Sequence, residues 1–174
     1  MIKKLLTLFF TLGICLTSYA EELSTYSNEA EKIKFQYPSN WAIKENQMGS
    51  LVAFVSPRES ESDSFMENVN LLLENTPPDT SLEKYNSYGL EMLKKVVTDF
   101  NIIESNDTTL GGLPASNMIY TGRMGEFNLK YFQVWTLKDG KAYVCTYTAD
   151  QKSFDKYLPV AKNVIDSLKF SSAS

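Results

Sequence analysis

The 174-residue chain contains no histidine. That absence removes Ser-His and Cys-His nucleophile pairs, the usual general acid–base, and the commonest zinc ligand. Cysteine is scarce as well: Cys15 lies near the start and Cys145 far along the chain. If the start is removed, Cys145 is left alone and no internal disulfide can form. No apolar run of membrane-spanning length stands out. The stretch Leu5–Leu16 would rise about 18 Å as a helix, against a hydrocarbon core of about 30 Å. Basic side chains are outnumbered, 17 to 21, and without Lys3 and Lys4 the formal charge of −4 becomes −6. An acidic surface of this kind argues against nucleic acid or an anionic membrane as the main partner.

What is present begins with a leader. Lys3-Lys4 form a positive start, Leu5–Leu16 an apolar middle, and Ser18-Tyr19-Ala20 place small residues at a cleavage site. Residues 1–20 therefore read as a signal peptide cut after Ala20, which predicts an extracytoplasmic, periplasmic or lumenal protein. The alternative is a lipoprotein anchored at Cys15, but Ile14 is not the small residue such a motif requires. Beyond residue 20 the expected organisation is a polar leader over 21–30, a single domain over 31–170 and a tail over 171–174, with no transmembrane span in the mature chain.

The densest stretch of that domain is Phe35, Tyr37, Pro38 and Trp41. Alternation puts Ile33, Phe35 and Tyr37 on one face of a strand, and Pro38 ends it because it has no N–H for a ladder. Strands are expected over 32–38, 41–45 and 51–56, the last ended by Pro57, and a fourth over 67–74. Thr80 and Glu83 fit a capping box at the start of a helix. Its apolar stripe runs through Leu82, Tyr85, Gly89, Met92, Leu93, Val96 and Phe100. Glycine on that stripe costs about 1 kcal/mol of helix propensity and predicts a close neighbour. Strands over 102–110, 114–121 and 127–137 follow. Asp139-Gly140 is a hairpin turn leading into a strand over 141–149. Asp150 caps a last helix, in which Pro159 predicts a break near Leu158. The pattern reads as an α+β domain: a central, mainly antiparallel sheet of about six to eight strands flanked by two principal helices.

These residues, in this order, resemble the PsbP-like family within the wider Mog1/PsbP/DUF1795 fold group. The matching features are the corner Phe35–Trp41, Leu51–Phe54 leading to Ser56-Pro57, and Glu67–Asn70. Ser81–Tyr85, Gly111–Ala115, Gln133–Trp135, Lys138–Tyr143 and the close Ile165–Phe170 complete the set. The resemblance implies an α/β/α sandwich and a non-enzymatic role. PsbP proteins are extrinsic subunits of photosystem II, supporting calcium and chloride retention at its oxygen-evolving complex. It thus implies a partner that is a membrane-associated protein complex, and calcium as a candidate ion. Family metal sites that use histidine have no counterpart here.

Each sharper reading has a plainer rival. Glu59, Glu61 and Asp63, with Glu67 beyond, form an acidic stretch that would suit calcium, which takes about six to eight oxygens. The EF-hand spacing and its glycine are missing, so a solvated loop is the preferred reading. Cys145 lies mid-strand and reads as a small buried hydrophobe rather than a reactive thiol. Trp135, Tyr131, Phe132 and Tyr143 suggest a stacking surface but fit core pairs better. Phe132 is the one whose exposure would mark a partner surface. Two carboxylates suffice for a glycosidase, yet no motif places a pair, and the chain is not expected to be an enzyme. The function expected is an exported binding module. The alternatives are a calcium or small-ligand binder using a pocket between sheet and helix, and a chaperone-like binder of hydrophobic segments. Intact-mass measurement of the exported protein should place its N-terminus at Glu21; a lipid-modified Cys15 would overturn the leader reading.

Overall fold

The computed structural model describes residues 22–47 and 49–171. The expected signal peptide with Cys15, and all but Ser171 of the expected tail, lie outside the described residues. The elements are β1 Leu23–Asn28, β2 Ile33–Pro38, β3 Ala42–Gln47, β4 Ser50–Val55, β5 Asn68–Asn75 and α1 Leu82–Val96. They continue with β6 Thr98–Leu110, β7 Leu113–Met124, β8 Phe127–Lys138, β9 Lys141–Asp150, α2 Phe154–Asp166 and β10 Lys169–Phe170. Seven strands form an antiparallel sheet in the order β3-β4-β5-β9-β8-β7-β6, and β1-β2-β10 form a second sheet of three. With two helices, this is the α+β architecture the sequence predicts.

The two faces of the large sheet are closed differently. Against one face pack α2 and the small sheet, bringing Ile33, Phe35, Phe154, Val164 and Ile165 onto Leu71, Val134, Cys145 and Tyr147. Against the other, α1 is the one helix among the described residues, over Met118, Tyr120, Trp135 and Val144. Alternation in β8 sorts its residues accordingly: Phe132 and Val134 point to α2, Tyr131 and Trp135 to α1. Central β9 is covered on both sides, and all of Ala142–Ala149 is buried. Its turn is the expected one, with Asp139 and Gly140 both at positive φ.

The aromatic corner connects two sheets rather than two strands of one sheet. β2 belongs to the small sheet and β3 to the edge of the large one. A turn closes it, with the Trp41 N–H donating to the Pro38 carbonyl at 2.9 Å. Phe35, Pro38 and Trp41 are buried and Tyr37 half-buried. Tyr37 stacks on Phe54 of β4 at 4.9 Å, while Phe35 and Tyr26 meet the same ring at 5.4 and 5.8 Å.

Several local expectations are corrected. The expected polar leader contains β1, a polar strand whose one buried side chain is Tyr26, held in register by pairing with β2. The N-cap of α1 is Ser81, which accepts from the Lys84 N–H at 3.2 Å; Thr80 instead donates its hydroxyl to the Pro77 carbonyl. The helix ends at Val96, so Phe100 lies on β6, which begins at Thr98 rather than Ile102. A Cβ on Gly89 would meet nothing within 4 Å. The close approach falls at Gly122, where a Cβ would collide with Val97 Cγ1. No break occurs near Leu158: α2 runs through Pro159, which is exposed and costs the helix a single donor. The residue before α2 is Ser153, not Asp150, whose carboxylate accepts from the Lys152 N–H.

Trp41→Ala should cost about 3–5 kcal/mol, because the ring is buried where the two sheets meet. Denaturant unfolding measures this, and an unchanged midpoint would show that the corner is not anchored by the ring.

Candidate functional site

No residue of α1 is buried, although the helix carries a broad apolar arc. A helix turns about 100° per residue, so Leu82, Asn86, Leu90 and Leu93 face the sheet while Tyr85, Tyr88, Met92 and Val96 lie along one flank. Among the described residues nothing covers this flank: Tyr88 is 61% and Val96 68% exposed. Beside it, Ile102 and Ile103 of β6 are exposed too. A register shift between Ile102 and Glu104 leaves Ile103 without a partner on β7.

Between this flank and the sheet runs a cleft of about 570 Å³, within the range of ligand sites. Its floor comes from five strands: Leu72 and Glu74 of β5, Val144 of β9, Gln133 and Trp135 of β8, Met118 of β7, and Ile102 and Ser105 of β6. Gly89 lies in its wall, and the missing side chain there adds room.

Polar groups in the cleft are largely paired with one another. The Trp135 indole donates to Asn86 Oδ1 at 2.6 Å, and Asn86 Nδ2 donates to Ser116 Oγ at 2.9 Å, fastening α1 to the sheet. The Gln133 amide donates to Thr146 Oγ1 at 2.9 Å. The Tyr85 hydroxyl donates to Glu74 Oε2 at 2.5 Å. Burial, and then this carboxylate, push the Tyr85 phenol above its ordinary range. Burial likewise raises the phenols of Tyr120 and Tyr131, whose rings stack at 4.6 Å. Such phenols stay protonated, so they supply surface rather than charge.

The structure does not bring the four acidic candidates together. Glu59 turns to α2, accepting from Lys156 Nζ at 2.5 Å and from the Tyr157 hydroxyl; these hydrogen bonds hold its carboxyl below the usual range. Asp63 folds the loop by accepting from the N–H groups of Glu59 and Phe65. Glu67 is buried, taking the Ser153 hydroxyl at 2.5 Å and that of Ser56 at 3.3 Å. Glu61 is exposed. Among the described residues no three His, Cys, Asp or Glu side chains converge on a point that would hold a metal ion.

Of the aromatic candidates, Phe132 and Tyr143 are core residues on the α2 face, while Trp135 and Tyr131 lie on the α1 face. Phe132 is buried, so it marks no partner surface. Cys145 is fully buried, and burial pushes its thiol up. The cleft residues Glu74, Asn86 and Ser105 carry no motif, and Gln133 entered only as part of the Gln133–Trp135 strand. The available signal was the width of the apolar arc on α1, broader than one sheet face can cover.

A sequence model of the PsbP-like protein family matches residues 16–170. No curated protein sequence matches the chain. Among solved structures, cyanobacterial PsbP (CyanoP) from Synechocystis sp. PCC 6803 superposes with a TM-score of 0.65 at 18% identity, covering 91% of this chain and 98% of that one. LpqN, involved in cell envelope biogenesis of Mycobacterium tuberculosis, gives 0.61 at 15% identity and 88% of each chain. The Ran-binding protein Mog1p of Saccharomyces cerevisiae gives 0.60 at 9% identity, covering 87% of this chain and 96% of its own. At these identities the likeness is one of fold.

Asn86→Ala should strand the Trp135 indole N–H and the Ser116 hydroxyl and loosen α1. We expect a loss of about 1–3 kcal/mol and an altered Trp135 emission, read by fluorescence-monitored unfolding; wild-type stability would show that α1 is held by other contacts.

Proposed function

This chain belongs to the PsbP-like family, and from that membership we propose that it is an exported, non-catalytic binding module that docks on a membrane-associated protein complex through the α1 cleft. In a photosynthetic source, that complex is photosystem II. The observation that carries the reading is the uncovered flank of α1, where Tyr88, Met92 and Val96 stand exposed beside Ile102. Contiguous exposed apolar surface of this kind is typical of docking sites.

The chemistry of the cleft supports binding over turnover. Tyr85 is committed to Glu74, and Trp135, Asn86 and Ser116 are committed to one another. Export is supported by the Lys3-Lys4, Leu5–Leu16 and Ser18–Ala20 pattern and by the likeness to CyanoP. Among the described residues no helix is long and apolar enough to cross a membrane, so attachment through a docking surface suits the fold. A protein partner agrees with the Ran-binding description of Mog1p.

Crosslinking followed by pull-down from isolated membranes of the source tests this. Wild-type protein should recover a defined partner. The double variant Tyr88→Ser, Val96→Lys should lose it while melting within a few degrees of wild type, since both positions are exposed. Equal recovery by both proteins, or none by either, would overturn the reading.

A further inference from the structure

The α1 cleft is lined mainly by apolar side chains, and its polar residues Asn86, Ser87, Ser105 and Gln133 are neutral. Of its lining residues Glu74 alone carries a charge. Its Oε2 takes the Tyr85 hydroxyl, and no cation offsets it: the six ion pairs of the described residues use Glu31, Glu59, Glu91, Asp99, Asp139 and Asp155. Glu74 is half-buried beside Leu72 and Tyr85, and no side-chain cation of the described residues lies within ion-pair distance of it. The low polarity of these neighbours strengthens its attraction for an incoming cation. The rings of Tyr85, Tyr88 and Trp135 offer faces that also favour positive charge.

The cleft has a direction as well. Glu74 sits by Tyr85 at the start of α1, while Val96 and Ile102 line the far end. From Tyr85 to Val96 the helix rises about 17 Å, the length of about five extended residues. At the far end the cleft reaches β6, the edge of the sheet, whose outer N–H and C=O groups have no strand partner among the described residues. Such groups are matched by another polypeptide backbone and not by a small amphiphile.

We propose that the occupant of the α1 cleft is a short extended segment of the partner protein, apolar at alternate positions and carrying one basic residue at the end that meets Glu74. This proposal rests on the cleft being the docking site and adds the chemistry it selects.

Calorimetric titration of the full chain with three synthetic peptides tests it. Each has nine residues of alternating leucine and serine, with lysine, glutamine or glutamate at one end; decylamine serves as a small cationic amphiphile. The lysine peptide should bind about tenfold more tightly than the glutamine peptide, and the glutamate peptide should give no heat. In Glu74→Gln the lysine and glutamine peptides should become equal. Equal binding of all three peptides to wild type, or a lysine preference that survives Glu74→Gln, would overturn the charge selection and leave the docking reading standing. Binding of decylamine with no binding of any peptide would overturn the polypeptide occupant. No binding of any probe would overturn both. The wild-type series decides the matter even if Glu74→Gln proves unstable.

Discussion

Phe54 is the ring on which the two sheets meet. It belongs to β4 of the large sheet and is fully buried, and three rings from the small sheet, Tyr26, Phe35 and Tyr37, close around it. Tilted and stacked contacts at these separations add to what area burial alone provides. The contact explains why Pro38 and Trp41 are needed. The chain must leave one sheet and enter the other within a turn, with its rings still facing the same point. With the small sheet fixed here, its strand β2 holds β10 and receives the end of α2, where the Ser167 hydroxyl accepts from the Gln36 N–H at 2.8 Å. One face of the large sheet is thereby sealed.

Among the described residues the opposite face has no such partner. A single helix covers it, fastened by Asn86 and by the close fit of Val97 over Gly122. The two faces divide the work: the α2 face supplies stability, and the α1 face can remain partly open. That division suits the proposed docking role, because an open apolar flank can take a partner without disturbing the core.

Much of this was legible in the chain. Alternation put Ile33, Phe35 and Tyr37 on one face of a strand, Asp139-Gly140 specified the turn, and the corner marked the fold. What escaped did so for physical reasons. β1 reads as Leu-Ser-Thr-Tyr-Ser-Asn, and its order comes from pairing with β2, not from a pattern of its own. Phe100 continues the helical spacing, yet the chain turns at Val97 with no glycine or proline to announce it. Thr80 and Ser81 are both fit caps, and local hydrogen bonding chose the second. The cleft was the least visible part. Gly89 suggested tight packing, where the structure has space, and the floor beneath is assembled from five strands whose residues share no neighbourhood in sequence.

The place of β9 in the sheet also sets when folding can finish. This strand, made near the end of the chain, lies between β5 and β8 and joins the early hairpin to the late one. The small sheet waits longer still, since β2 pairs with β10. A chain delivered end first therefore cannot close its core until almost all of it has arrived, and long-range pairing of this kind is slow. Lys141 and Asp150 place charges at both ends of the mainly apolar Ala142–Ala149 run, which hinder its association with other chains while the core is still open.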